Sequence, residues 1–480
     1  MKKIVFKISI LAFLVVGFTS CDSELDQVPF DEFGNENAYA SAADFENAVR
    51  GIYSGLTFGG LYGGSDAGGM LDAPDVLSDN VVTGQDGRGT RRTLHNWEYV
   101  ATSGAMFGLY NAAYTTIYRA NLLLENIGDF EGANKENVMA EAKALRALAH
   151  FNTVAFFGKI PTQSADANQS LGVAYVTYTD PEMAPARDNV ETVYNNIVTD
   201  LTEALAGIET NGPNPEGRLN KESVAILLSR VYLYMGKNDL AVQVLNQNVS
   251  SLPAARENVE DVWVDESQDG LLFYIPNASP VLGIGVGVTW GQGSLTGLKP
   301  EFVVDYDFYQ LFSNDDVRKD AYTVQARNNS SNSDFNAIKK LMGRNGQTDG
   351  VVDIKIIRAA EAYLNKAEAL FPTDQNAARQ ALDVVRDRRY TSYVGGETGQ
   401  ALLEAIRLER RLEFAFESQR FFDLKRWGLP VERSGKGDLA DGGGVPSDSQ
   451  SLPVGSNKWQ MPIWQTAIDI NPNLQQNPGY

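Results

Sequence analysis

Apolar residues return at three- and four-residue steps along seven long stretches of the chain. They are Met106 to Ile127, Val138 to Phe157, Val190 to Ile208, Glu222 to Met235, Asp353 to Leu370, Ala377 to Arg389 and Leu402 to Glu417. That period places one apolar face on each, so all seven are predicted helices. Gly158, Pro213, Gly236 and Pro372 punctuate them. The unbroken apolar run Leu271-Leu272-Phe273-Tyr274-Ile275 instead predicts a short buried strand. Between the helices lie three Gly-rich stretches, 57–93, 283–297 and 430–457, the last also rich in Pro and Ser. Long loops of this kind tend to carry function. The expected class is mainly α, with helical pairs, an irregular loop-rich second part and minor β.

Two of the helical stretches contain a repeat. The tetratricopeptide pattern fits residues 222–255, with Leu228, Ser229, Tyr232, Ala241, Leu245 and Pro253 in register and Ala225 in place of the usual Trp. A weaker copy begins near Ile357, with Leu364, Asn365, Glu368 and Ala377 at matching offsets. Small residues such as Ser229 and Ala241 let the paired helices approach closely. Stacked pairs form concave scaffolds that bind rather than catalyse by default.

Composition narrows the function. The 480-residue chain carries a net charge of −20, a poor match for nucleic acid phosphates. A single cysteine excludes an internal disulfide framework. Two histidines, His95 and His150, leave little for a His-rich metal site. His150 falls on an apolar helix face and reads as a packed group; His95 lies in a loop beside Trp97. Gly283-Ile284-Gly285-Val286-Gly287 is not a dinucleotide fingerprint, because Val288 follows where the third glycine would be needed and no helical pattern comes after. Neither a phosphate-binding loop nor a nucleophile elbow occurs. No cofactor and no metal are expected, and no carboxylate pair stands out as a glycosidase dyad.

The amino-terminal residues read as an address. Lys2, Lys3 and Lys7 precede an apolar run from Ile8 to Phe18, too short to span a bilayer, and then Thr19-Ser20-Cys21. This resembles a lipoprotein signal with Cys21 as the lipidated residue, although Phe18 stands where Leu is preferred. The expected organisation is a signal peptide over 1–20 and a single body over 21–480, tethered by the acidic stretch after Cys21, with ligand-binding loops around 57–100 and 277–330. No later run is apolar enough to cross a membrane.

Several blocks carry a family resemblance. They are Phe45-Glu46-Asn47-Ala48-Val49-Arg50-Gly51-Ile52-Tyr53, Tyr118-Arg119-Ala120-Asn121, Glu141-Ala142-Lys143-Ala144-Leu145-Arg146-Ala147 and Phe157-Gly158-Lys159-Ile160-Pro161. Near the end, Glu409-Arg410-Arg411-Leu412-Glu413 runs on to Arg420-Phe421-Phe422-Asp423-Leu424-Lys425-Arg426-Trp427, and the chain finishes Gln476-Asn477-Pro478-Gly479-Tyr480. Over essentially its whole length the chain resembles the SusD/RagB family of outer-membrane lipoproteins. The resemblance implies a helical body with tetratricopeptide-like pairs and an irregular glycan-binding face. It also implies a lipid-anchored position on the cell exterior beside a SusC-like, TonB-dependent transporter that receives the captured oligosaccharide, and no catalysis. A helical glycoside hydrolase and a protein-binding tetratricopeptide scaffold are the alternatives.

The charged terminal block reads as structural. Glu409 and Glu413 lie one helical turn apart and repel unless a cation stands between them. The sugar-binding residues must be sought elsewhere. Exposed aromatic rings meet the apolar faces of sugars while polar groups orient the hydroxyls. Trp97 and Trp290 border Gly-rich loops and are the expected platform. Tyr62 is a third ring, and Asp79, Asn80 and Gln292 are the nearby polar groups. Trp427, Trp459 and Trp464 are expected to pack, and Trp263 is ambiguous.

Overall fold

The computed structural model describes residues 38–63, 69–180, 182–209, 216–249, 259–277, 285–291, 293–294, 297–328, 331–344 and 346–480. Cys21 and the signal segment 1–20 therefore lie outside the described residues, as does Gln292. The long helices are α1 (Ala42–Leu56), α2 (Phe107–Asn126), α3 (Lys135–Phe157), α4 (Val190–Gly207), α5 (Lys221–Tyr234) and α6 (Asn238–Asn248). After an irregular central stretch come α7 (Ala359–Leu370), α8 (Gln375–Arg386), α9 (Gly399–Glu413) and α10 (Arg420–Trp427). The fold is α-rich, as expected.

Local chemistry sets several helix ends. At α1, Ser41 Oγ accepts from the Asp44 amide (3.3 Å) while Asp44 Oδ2 accepts from the Ser41 amide (2.8 Å), a reciprocal cap that satisfies two otherwise orphaned donors. Asn220 and Ser223 repeat the arrangement at α5. Gly428 closes α10 at φ +63°, where a side chain would be strained.

The expected repeat is present as two helical pairs, α5 with α6 and α7 with α8, and the pairs pack on one another. Asn365 on α7 donates to Ser229 Oγ on α5 (2.9 Å). Beside it, Arg230 clasps Glu361 through two 2.6 Å bonds, both side chains buried. The small residues of the repeat thus admit a bidentate charge pair between the pairs of helices, a geometry that suits the guanidinium fork.

Two helix boundaries differ most from the sequence expectation. Residues 353–358 do not belong to the helix that follows. Ile354–Arg358 is a strand (β6) that pairs antiparallel with Leu271–Ile275 (β2), the strand expected from its apolar run. The β-branched run Ile354, Ile356 and Ile357 suits a buried ladder, and the helix starts only at Ala359. The Leu402–Glu417 helix ends early, at Glu413. Phe416 and Ser418 adopt φ +62° and +67°, which turns their amides onto the buried Asp75 carboxylate (3.2 and 3.0 Å). Tertiary hydrogen bonds override helical periodicity there.

The other principal strands are β1 (Val81–Thr83), β3 (Phe302–Val304) and the hairpin β4 (Thr323–Asn328) and β5 (Ser333–Ile338). One large apolar cluster runs from Phe45 on α1 to Leu474 near the end and includes Trp97, Trp290 and Trp459. A second lies between α7, α8 and α9, around Leu364, Leu382, Val385 and Ile406. Among the described residues, no helix is long and apolar enough to cross a membrane.

Candidate ligand-binding loop layer

Three stretches distant in sequence come together on the helical body. β1 pairs antiparallel with β3, Val81 opposite Val304, so the 57–100 loop region meets the 277–330 region directly. Glycine permits the contact: a Cβ on Gly84 or Gly87 would lie 2.5 or 2.6 Å from the Pro300 carbonyl oxygen. Glu301 then gathers the 84–90 loop, accepting from Arg88 Nε (2.9 Å) and from the Thr90 amide (3.2 Å). Asp72 accepts from Thr289 Oγ1 (2.7 Å) and is paired with Arg91.

The third stretch, 431–452, holds no candidate of the sequence reading. Arg433 donates to the carbonyls of Ser78 (3.1 Å) and His95 (2.8 Å), and the Gln85 amide donates to Asp438 (3.0 Å). The β4–β5 hairpin joins as well: Asn328 donates to Asp86 (2.9 Å), and the Ala440 amide donates to the Asp334 carbonyl (2.8 Å). Nothing local marks these pairings, because they join residues hundreds of positions apart.

The layer brings the expected site residues close, but beneath its surface. Trp97 is 5% exposed; its indole N–H donates to the Leu77 carbonyl (3.1 Å) and the Arg433 guanidinium covers its ring at 4.1 Å. Trp290 is fully buried, 6.0 Å from the Phe416 ring and 6.5 Å from Phe302. The expected platform of two exposed tryptophans is therefore corrected: glycine lets the two loops pack tightly on each other, and both rings lie beneath the surface, Trp97 under Arg433 and Trp290 against Phe302 and Phe416.

The other candidates are likewise engaged. Tyr62 is buried and accepts from Asn152 Nδ2 (2.8 Å); burial pushes its hydroxyl up to about 12. Asp79 takes both arms of Arg420 (2.7 and 2.8 Å); burial would raise its carboxyl, but Arg411 and Arg420 outweigh that and bring it down to about 2. Asn80 donates to Asp75 (2.9 Å) and accepts from Arg411 (2.9 Å). Asp75 is raised to about 6 by burial, its three hydrogen bonds and the Lys340 charge opposing the rise. Trp263 is also buried, with the Lys340 ammonium 4.3 Å from its ring. Trp464 is only half-buried, against Phe107.

Two of the rings that the layer leaves half-exposed are tyrosines. Tyr306 lies over Gly442, whose absent side chain makes room for it, and Tyr309 sits three residues on. Asp305 caps their short helix and also accepts from Ser434 Oγ (2.6 Å), tying Tyr306 to the 431–452 stretch. Exposed Gln85 and Arg88 stand on the same layer.

Histidines and the terminal block serve the frame. His95 is buried between the Val76 carbonyl and Ser447 Oγ, both at 2.7 Å; burial and the nearby Arg433 charge hold it neutral. His150 bonds the Arg146 carbonyl (2.9 Å), accepts from the Val176 amide (3.1 Å), and burial lowers it to about 3. The cation expected between Glu409 and Glu413 is Arg318, at 2.6 and 3.2 Å, itself paired with Asp316. Arg358 and Arg389 also hold Glu413, at 2.7 and 2.8 Å. Burial would raise Glu413; these arginines outweigh it and hold the carboxyl well below its usual range. The block is a buried ionic frame. Among the described residues, no group of three or more carboxylate, histidine or cysteine side chains could hold a metal.

Comparison with known proteins agrees with this architecture. Residues 305–480 match the family model described as the SusD family, and residues 35–233 match one described as "Starch-binding associating with outer membrane". The chain belongs to the SusD family. A crystal structure of a SusD superfamily protein from Bacteroides thetaiotaomicron superposes with a TM-score of 0.79 at 27% identity, covering 92% of this chain and 100% of that one. Among curated relatives, SusD-like protein P25 of Formosa agariphila is 24% identical over 88% of this chain and 90% of its own length. The starch-binding protein SusD of Bacteroides thetaiotaomicron is 32% identical over 128 residues, 27% of this chain and 22% of that one. The structural likeness thus spans nearly the whole length of this SusD-family protein.

Proposed function

We propose that this SusD-family protein is a non-catalytic, cell-surface lipoprotein, anchored in the outer membrane through Cys21, that captures oligosaccharide and delivers it to a SusC-like TonB-dependent transporter. The carrying observation is the match of residues 35–233, which include the first loop of the layer, to a family described as starch-binding and associated with the outer membrane. The 32% identical relative is likewise a starch-binding protein. The geometry supports capture over turnover, because the signature carboxylates Glu409 and Glu413 are committed to buried arginines and both histidines are locked neutral. The ligand surface in this reading is the rim of the loop layer, with Tyr306 as the stacking ring and Gln85 and Arg88 as orienting groups, supported from below by Trp97, Trp290, Asp79 and Asn80.

A polyhydroxylated ligand must shed much bound water, so the expected affinity is roughly micromolar to millimolar. The test is calorimetry of the purified chain against a panel of defined oligosaccharides, with chromatography of the mixtures. Binding without cleavage is expected, and Tyr306→Ala weakens it by about thirtyfold, the effect of losing a hot-spot ring. Turnover of a bound glycan, or no loss in Tyr306→Ala, refutes the reading. For the partner, gentle detergent extraction and pull-down are expected to recover a large barrel protein; recovery of the lipoprotein alone while that barrel is expressed counts against delivery.

A further inference from the structure

A second cleft shares no residue with the loop layer. It holds about 630 Å³ and opens between the segment after α3, residues 159–171, and the chain end, residues 454–478. That volume lies in the range of small-molecule sites. Its walls are fixed to each other. Arg187 donates to the carbonyls of Phe157 (2.9 Å), Gly172 (2.7 Å) and Gln475 (2.9 Å), and Asn477 Nδ2 donates to those of Phe157 (2.8 Å) and Met461 (2.7 Å).

Amide and hydroxyl side chains make up more than half of the lining, and their hydrogen-bond capacity is unevenly filled. Gln460 Nε2 donates to Gln163 Oε1 (3.3 Å), and Asn457 Nδ2 donates to the Gly479 carbonyl (3.1 Å). Gln169 Nε2 donates to Glu191 (3.3 Å). Each of these amides, like that of Asn477, thus uses its N–H groups on the protein. The side-chain oxygens of Gln169, Asn457, Gln460 and Asn477 have no partner among the described residues. Asn477 is the most firmly held of the four: it is only 4% exposed, its Nδ2 is fixed by two bonds, and it lines the cleft.

We infer that this cleft is a second saccharide site, which takes a neutral oligosaccharide. Four side-chain acceptors along the cleft suit a ligand rich in O–H donors. They disfavour an anion, and the one cation of the lining, Lys159, is already paired with Asp166 at 2.7 Å. Leu171, Val454 and Pro478 offer the apolar contacts that sugar C–H faces need. The inference rests on the glycan-capture reading only for the class of ligand available to the protein; its residues are separate.

Hydrogen–deuterium exchange on the full chain tests both sites at once. The probes are maltoheptaose, xylohexaose, mannohexaose and laminarihexaose at millimolar concentration, with oligogalacturonate as the anionic control. At least one neutral probe is expected to protect peptides spanning 159–171 and 454–478. Gly455→Trp fills the cleft; a side chain at Gly455 meets open space, so the fold accepts it. This variant and Gln460→Ala are expected to weaken that protection at least tenfold in concentration, with an unchanged melting temperature and unchanged exchange at 84–93 and 434–447. Protection of the cleft by oligogalacturonate alone, protection that survives Gly455→Trp, or protection confined to the loop layer overturns the inference, and the last leaves the capture reading standing. Protection of the cleft alone sustains the inference and refutes the loop-layer reading.

Discussion

Truncating either buried tryptophan separates a structural seam from an exposed platform. Trp290→Ala removes a fully buried indole packed against Phe302 and Phe416, and no hydrogen bond goes with it, because its N–H has no partner among the described residues. Such a truncation costs about 3–5 kcal/mol. Trp97→Ala loses similar packing and, in addition, the bond to the Leu77 carbonyl and the cover of Arg433. For a chain of 480 residues the unfolding entropy is about 1 kcal/mol per kelvin, so each variant should melt about 3–5 °C lower. The phenylalanine variants sharpen the contrast. Trp290→Phe keeps most of the packing and should cost the least. Trp97→Phe strands a buried carbonyl, adding about 1–3 kcal/mol. Scanning calorimetry measures the shifts, and titration with a bound oligosaccharide measures affinity on the same samples. A variant that melts like the wild type yet no longer binds places its ring on the ligand surface and refutes the seam.

Three further outcomes follow from the frame and the address. Arg318→Met leaves Asp316, Glu409 and Glu413 buried with fewer cations and should cost about 3–5 kcal/mol, read as a loss of several degrees in melting temperature; an unchanged melt shows that the frame does not depend on this arginine. Because burial lowers His150 to about 3, the unfolded chain binds its proton first as pH falls below about 6.5; stability should drop by about 1.4 kcal/mol per pH unit down to about pH 3 on this account alone, and a His150→Gln variant should show a shallower acid arm in pH-dependent melting. Cys21→Ala should release the protein from membrane fractions, and a variant that still pellets with membranes refutes the anchor.

Sequence periodicity located α2–α5 and α7–α9 because each buries a continuous face, but it passed over α1 and α10; the repeat was readable because small residues recur where the pairs touch. It failed at Ile354–Arg358, where apolar spacing is compatible with both helix and strand and the choice fell to pairing with Leu271–Ile275. It failed again past Glu413, where Asp75, more than three hundred residues upstream, captures the amides of Phe416 and Ser418.

The site was harder to read for a physical reason. Glycine beside tryptophan signals either a ring left exposed by a mobile backbone or a ring buried by a backbone able to approach closely, and composition is the same in both cases. Here the second holds. Gly84 and Gly87 press against Pro300, a side chain at Gly287 would lie 1.6 Å from the Leu341 carbonyl oxygen, and Trp97 and Trp290 both belong to the large buried cluster. The same tightness fixes the surface above. Arg411 and Arg420, from the terminal block, reach Asp79 and Asn80 under the loops, so the terminal block supports the layer from below. A frame built this way can hold different rim residues without repacking, because the charges and rings that set the loop positions face inward. In the proposed capture reading, specificity belongs to outward residues such as Tyr306 and Gln85, which no helical period or motif marks.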